Sequence, residues 1–409
     1  MNSSTRSASD QVCLGCGCLC DDPVLESSGG TAVVPNLDCS KGREWFAAAA
    51  RPLGPARAWI DGVPATIAEA DRAACDRLFA SRSTLIVPDS VSMESAAAIA
   101  ALADRVRGCV EPAALRTRAS ELAAFQRVGA VSSTLGEIRD RGELVIVWGA
   151  DLDRDLPRFR ERFLSDRDLP GRTVLELPCE RLPHDEAAFF AAWRAALAGK
   201  AVDRPRMLLA AGTFASDLDE WSRRIRAVAH TVLLVAERPE RDRSAWSQIL
   251  GWIRDRARVS RCTGLVLGGS ANSAGIGAAL TWNAGAPSGI DLRLGHPRHL
   301  PGSIERGAAR GEFDLILRIA GRASSVDDLD YGNSSMRRIE IGPDAGSRVV
   351  PGDGVVQIEC AEFGVDEGGT IARMDGVLLP VRPWRDTDRP RVVELLRNWV
   401  GRFDEDFSA

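Results

Sequence analysis

Five of the ten cysteines fall within residues 13–39, at Cys13, Cys16, Cys18, Cys20 and Cys39. Cys13, Cys16 and Cys20 form a C-x2-C-x3-C run, and Cys39 follows as a distant fourth. Thiolates at such short intervals converge on one metal group, because the turns between them curl the backbone around it. Gly15 and Gly17 lower the steric cost of that curling. The predicted ligand set is therefore Cys13, Cys16, Cys20 and Cys39. Spacing alone leaves a [4Fe–4S] cluster and zinc both open. The remote fourth cysteine suits a ferredoxin-type arrangement, whereas zinc ribbons prefer two C-x2-C knuckles and only one is present. Cys18, inside the run, is either a substitute ligand or a spare thiol. Residues 1–12 are polar and carry no apolar signal-peptide core, so the expectation is a cytoplasmic protein in which disulfides are disfavoured.

Other candidate chemistry is sparse. Of the four histidines, His184, His230, His296 and His299, His230 opens an apolar run and reads as structural, while the pair His296 and His299 has no third ligand nearby in sequence and reads as a solvated or hydrogen-bonded loop pair. No G-x-S-x-G elbow anchors a hydrolase triad. Cys75, Cys179, Cys262 and Cys360 lie in or beside apolar segments and read as core. The glycines Gly268, Gly269, Gly275 and Gly277 fall between a predicted strand and a predicted helix. They match neither a Walker loop nor a dinucleotide fingerprint, so a weak phosphate site and tight strand–helix packing are equally good readings.

The elements that must position these residues repeat regularly after residue 60. Short β-branched runs predict strands at Ser83–Val87, Glu143–Trp148, Thr173–Leu177, Arg206–Ala210, His230–Ala236, Thr263–Leu267, Phe313–Ile319, Arg337–Ile341 and Val355–Glu359. Ala-rich segments of helical period lie between them, at Ile67–Ala80, Met93–Val106, Glu186–Leu197, Leu218–Val228 and Ser244–Ala257. Alternation of this kind means βαβ units and mainly parallel sheets. The expected fold is α/β: a Cys-rich head over 1–58, a discontinuous α/β domain over 59–150 with 304–409, and a second over 151–303, both Rossmann-like. The 409 residues carry 52 Lys and Arg against 57 Asp and Glu, a net charge of −5, with no basic stretch, which argues against nucleic-acid binding. No apolar run reaches the roughly 18 residues of a membrane span.

Taken together, these residues carry a resemblance. The head Cys13-Leu-Gly-Cys16-Gly-Cys18-Leu-Cys20-Asp21-Asp22, with Cys39-Ser-Lys-Gly42, resembles the amino-terminal cluster of the B subunit of formylmethanofuran dehydrogenase, in the molybdopterin oxidoreductase superfamily. The likeness continues in Ser133-Thr134-Leu135-Gly136-Glu137, in Val147-Trp148-Gly149, in Pro157-Arg158 and in the Gly/Pro-punctuated segment Gly285–Gly302. It ends in Asp366-Glu-Gly-Gly-Thr370 and Arg373-Met374-Asp375-Gly376. The resemblance implies a [4Fe–4S] cluster on Cys13, Cys16, Cys20 and Cys39, and α/β domains of the molybdopterin oxidoreductase type. Asn272, Gly275, Arg373 and Asp375 are the candidate cofactor-binding residues.

One departure from the family shapes the functional expectation. Where the family holds tungsten or molybdenum through a Cys or selenocysteine, this chain places Arg116, a permanent cation with no lone pair to donate. Cys109 reaches that place only through a shift of several residues. The resemblance therefore implies the formyltransferase/hydrolase complex of the tetrahydromethanopterin one-carbon pathway, with no Mo/W-pterin on this chain. In that complex a transferase subunit, an amidohydrolase subunit and a third subunit accompany the homologous one, and a methanofuran-like carrier takes the formyl group. The chain itself is expected to carry no complete active site. The alternative is a working Mo/W-pterin, iron–sulfur redox subunit.

Overall fold

A computed structural model describes residues 6–8, 11–28, 31–34, 36–51, 53–165, 167–211, 214–321, 336–346 and 354–406. The chain divides into two compact units. The first comprises residues 1–116, 269–373 and 378–409, and the second comprises 117–268 and 374–377. Both units are discontinuous in sequence. Leu144–Trp148 pairs with His230–Ala236, so this strand sits centrally in the second unit. The segment from Gly269 belongs to the first unit, because Ile276, Ala279 and Leu280 of helix Ser273–Ala284 enter that unit's core.

The first unit is organised by a nine-stranded sheet. From one edge its strands are Arg298–His299, Ile290–Asp291, Cys109–Val110, Thr84–Pro88, Leu315–Ile319, Arg337–Gly342, Val355–Glu359, Ala58–Ile60 and Val63–Ala65. The central five are parallel, and the two strands at each edge run antiparallel to their neighbours. Thr84–Pro88 and Val355–Glu359 are buried at every position. Such strands need apolar residues on both faces. The pleat sends Ile86, Leu315 and Leu317 into one core and Leu85, Val87 and Ile316 into another. In chain order the five parallel strands lie 2-1-3-4-5, reversing between Thr84–Pro88 and Leu315–Ile319. Ligands of open α/β sheets gather beyond the carboxyl ends of strands at such a reversal. There a cleft is bordered by Ser90, Ser92, Gly321, Phe363 and Glu367.

Before this sheet lies the cysteine-rich segment, with a three-stranded antiparallel meander of Arg6–Ala8, Leu25–Ser28 and Thr31–Val33, followed by helix Ser40–Ala49. The second unit holds a four-stranded parallel sheet in the order Arg261–Leu267, His230–Ala236, Leu144–Trp148, Thr173–Leu177. Its core is strongly aromatic: Trp148, Trp193, Trp252, Phe189 and Phe190 are all fully buried.

Two sequence expectations require correction. Arg206–Ala210 is not a strand but part of helix Arg204–Ala211. Asp203 precedes it, and its carboxylate accepts from the backbone N–H of Arg206 at 3.2 Å. With Pro205 fixing the first turn, these terminus signals outweigh the apolar run. Cys179 is exposed rather than core, because it begins a 3-10 turn, Cys179–Arg181, just beyond strand Thr173–Leu177. Among the described residues, no helix is long and apolar enough to cross a membrane.

Candidate functional site

The cysteine loop closes on itself. The Cys13 N–H donates to the Cys20 carbonyl at 2.8 Å, and the Leu19 N–H donates to the Cys16 carbonyl at 3.2 Å. Leu19 takes a left-handed φ of 43° to complete the reversal. Cys39 stands at the amino end of helix Ser40–Ala49, so seating the loop on the first turn of that helix brings the remote cysteine to the other three. Two glycines make the approach feasible. A Cβ on Gly15 would sit 2.8 Å from the Lys41 carbonyl oxygen, and one on Gly42 would sit 3.2 Å from Cys13 Sγ and 2.5 Å from Leu37 Cδ2. Gly15→Val is therefore expected to destabilise the chain by about 1–3 kcal/mol through overpacking. Gly54→Ala, with open space around it, should leave the denaturant midpoint nearly unchanged. Equal midpoints for the two variants would show that the loop is not seated on the helix.

Three of the four predicted ligands are buried, as is Cys18 beside them, and Cys16 is half-buried. Cys13, Cys18, Cys20 and Cys39 are all 7 % exposed or less. Burial pushes the Cys13 thiol up to about 12, opposed by a hydrogen bond from the Gly15 backbone and reinforced by the nearby sulfurs of Cys20, Cys16 and Cys39. Cys16 is drawn down to about 6, first by a hydrogen bond from the Cys18 side chain, then by the Cys18 backbone and the charge of Lys41. A four-thiolate metal group suits these residues: each supplies sulfur, and the loop provides the backbone donors that thiolates need. Among the described residues, no three His, Cys, Asp or Glu side chains gather tightly enough to hold a single ion. Behind the loop, Val12, Leu19, Phe363, Ile371 and Val381 form a small apolar core.

The other candidates are placed in different ways. Asn272 is 2 % exposed. Its amide donates to the Val91 carbonyl at 2.7 Å and accepts from the Ala372 N–H at 3.1 Å. A Cβ on Gly275 would lie 2.2 Å from Asn272 Oδ1, so Gly275 leaves room for that clasp. Asp375 belongs to the second unit, where its carboxylate accepts from the Leu135 N–H at 2.7 Å, at the start of helix Leu135–Arg141. Two segments 240 residues apart in sequence thus meet. Arg373 is half-buried at the end of the first unit's chain segment.

Arg116 lies in the 3-10 turn region Ala113–Arg118, and its Nε donates to Glu305 Oε1 on helix Ser303–Ala309. Close by, Glu111 is 4 % exposed, and its carboxyl accepts from the Gly289 N–H at 3.1 Å. Burial pushes Glu111 up to about 8, helped by the charge of Glu305 and opposed by the Gly289 N–H and Arg116. Cys109 lies fully buried among Leu85, Val87, Ala113, Ile304, Phe313 and Ile316. Burial, reinforced by Asp291, pushes its thiol up to about 12.

No family model matches the chain. Among curated proteins, the B subunit of the tungsten-containing formylmethanofuran dehydrogenase 2 of Methanocaldococcus jannaschii is 26% identical over 323 residues, covering 69% of this chain and 70% of that protein. Its counterpart from Methanococcus maripaludis is 25% identical over 309 residues, covering 69% and 70%. This chain is a relative of the B subunit of formylmethanofuran dehydrogenase. Among solved structures, the formyltransferase/hydrolase complex FhcABCD from Methylorubrum extorquens, in complex with methylofuran, contains a chain of similar fold. The TM-score is 0.69 at 20% identity, covering 86% of this chain and 100% of that one.

In this relative of the formylmethanofuran dehydrogenases, the sequence blocks act largely as fasteners. In Asp366–Thr370, Asp366 is held by Arg385, whose Nη1 also donates to the Ala49 and Arg51 carbonyls at 2.9 Å. Glu367 accepts from the Val392 N–H at 3.0 Å, at the head of the carboxy-terminal helix Val392–Asp406. Thr370 donates to Glu94 through its backbone at 2.9 Å and through its hydroxyl at 2.7 Å. Arg385, Glu111 and Glu305 are not evident from the sequence. Glu111 leaves one trace there, as an acid inside the apolar run Gly108-Cys-Val-Glu-Pro112.

Proposed function

We propose that this chain is a non-redox structural subunit of a formyltransferase/hydrolase complex. That complex would convert formyl-tetrahydromethanopterin to formate through a methanofuran-like carrier. The observation that carries the reading is the environment of Arg116. The position from which a soft donor would hold tungsten or molybdenum is a guanidinium engaged by Glu305, beside buried Glu111. Cys109, the nearest thiol to it in sequence, is packed among apolar core side chains. Transfer and hydrolysis then fall to a transferase and an amidohydrolase partner, with a third subunit completing the assembly.

In the head, Cys13, Cys16, Cys20 and Cys39 would hold an iron–sulfur cluster. The remote fourth cysteine suits a ferredoxin-type arrangement and only one C-x2-C knuckle is present, which favours a cluster over zinc. Bound there, such a cluster supplies structural cross-linking of the loop to helix Ser40–Ala49.

The test is elemental and pterin analysis of the complex purified without air, with its partners identified by mass spectrometry. Iron with three partner subunits, and no tungsten, molybdenum or pterin, is the expected result. Stoichiometric tungsten or molybdenum with a pterin would overturn it. That outcome would favour a redox subunit, the reading to which the tungsten-containing relatives lend weight.

A further inference from the structure

We infer that the hairpin of strands Gly369–Ala372 and Leu378–Val381 is a strap, rooted in the first unit by Asn272 and Glu94 and buckled into the second by Asp375. The course of the chain shows the crossing. Both strands belong to the first unit, whereas Met374–Val377, in the turn between them, belongs to the second. The root is stitched along its first strand. Thr370 donates to Glu94 through its N–H at 2.9 Å and its hydroxyl at 2.7 Å, and a Cβ on Gly369 would lie 2.8 Å from Glu94 Oε2. The Ala372 N–H donates to Asn272 Oδ1 at 3.1 Å, two residues before the chain crosses. In the turn one carboxylate serves two donors. Asp375 Oδ1 accepts from the Val377 N–H at 3.3 Å, and Oδ2 accepts from the Leu135 N–H at 2.7 Å. Leu135 is the first residue of helix Leu135–Arg141, so its N–H has no acceptor within the helix. Thr134 accepts from the Glu137 N–H at 3.1 Å, and Asp375 adds an anion at the positive end of the helix. At seven residues this helix has little stability of its own. It leads into Leu144–Trp148, which is paired on both sides in the second unit's sheet. Asn272, the Gly275 that makes room for it, and Asp375 are therefore parts of one mechanical device.

The experiment is limited trypsin digestion of the full-length chain, following the fragment that begins at Met374, beside the denaturant midpoint. Gly376 is exposed, and a Cβ there would meet nothing within 4 Å, so the turn is accessible once the buckle opens. Cutting after Arg373 then tracks the open population, provided that reclosing is fast. Asp375→Ala should speed this cut about five- to thirty-fold, as expected for the loss of a helix cap, while cuts elsewhere keep their wild-type rates. Asp375→Asn, whose carbonyl still accepts from the Leu135 N–H, should stay within about threefold of wild type. Root variants test whether the hairpin acts as one piece. Asn272→Ala and the milder Thr370→Val, which keeps the backbone bond to Glu94, should each speed the same cut. Combined with Asp375→Ala, either should add less than its own factor, because the turn is already released. Unchanged cutting after Arg373 in Asp375→Ala would overturn the strap, and so would a rise in every cut alike. If Asn272→Ala lowers the midpoint and raises all cuts together, Thr370→Val decides. Faster cutting after Arg373 alone supports the strap, and the wild-type rate refutes it.

Discussion

Arg385→Ala should destabilise the first unit by about 3–5 kcal/mol, the cost of removing one partner from a buried ion pair. The Asp366 side chain is fully buried, and it takes two hydrogen bonds from the Arg385 guanidinium. Without the guanidinium, that carboxylate is left charged in the interior, where the Glu362 N–H still donates to it at 3.1 Å. The same guanidinium satisfies the carbonyls of Ala49 and Arg51, at and just beyond the end of helix Ser40–Ala49. The loss therefore reaches the cysteine-rich segment. Arg385→Ala should unfold at lower denaturant and be cut sooner by protease near residues 51–56. Arg385→Lys should recover less than half of the difference, because a single ammonium cannot reproduce a planar fork serving a carboxylate and two carbonyls. A midpoint within about 1 kcal/mol of wild type for Arg385→Ala would refute the fastening role, since that is the worth of an exposed pair.

This latch marks where sequence reading succeeds and where it stops. Strands whose burial is complete announce themselves as β-branched runs, and His230–Ala236 and Val355–Glu359 are found where the runs lie, as is the less buried Thr173–Leu177. Cys109–Val110, Ile290–Asp291 and Arg298–His299 extend the large sheet with two residues each, too short for any period to register. Helix Arg204–Ala211 is hidden by its own apolar content, and only its capping residues betray it. At the site, cysteines close in sequence are legible because the chain must bring them together. Partners far apart are not: Arg116 meets Glu305 across 189 residues, and Leu135 meets Asp375 across 240. The glycines are legible as unusual but not as to cause. Gly275 makes way for an Asn272 side chain, and Gly268 makes way for Glu237, whose Oε2 would lie 2.4 Å from a Cβ there.

Replacing Glu111 by Gln should stabilise the chain increasingly as pH rises, and the sign follows from linkage. The Glu111 carboxyl is raised from an ordinary value of 4.5 to about 8, chiefly by burial and secondly by Glu305. Between these two values the unfolded chain releases the proton and the folded chain keeps it. Folding stability is then fully present below about pH 4.5 and is lost as pH rises toward 8. Gln is neutral throughout, and its carbonyl can still accept from the Gly289 N–H, so the variant lacks this loss. Relative to wild type, Glu111→Gln should be near neutral at pH 4.5 and gain on the order of 2–4 kcal/mol by pH 9, at about 1.4 kcal/mol per unit of retained shift with allowance for relaxation. Arg116 and Glu305 face the same carboxyl, so removing Arg116 should push Glu111 higher still and carry the wild-type loss of stability on to higher pH. The measurement is the denaturant midpoint of wild type and variant across that range. A difference independent of pH would mean that Glu111 is already ionised beside Arg116, and that the charge at this position is balanced in another way.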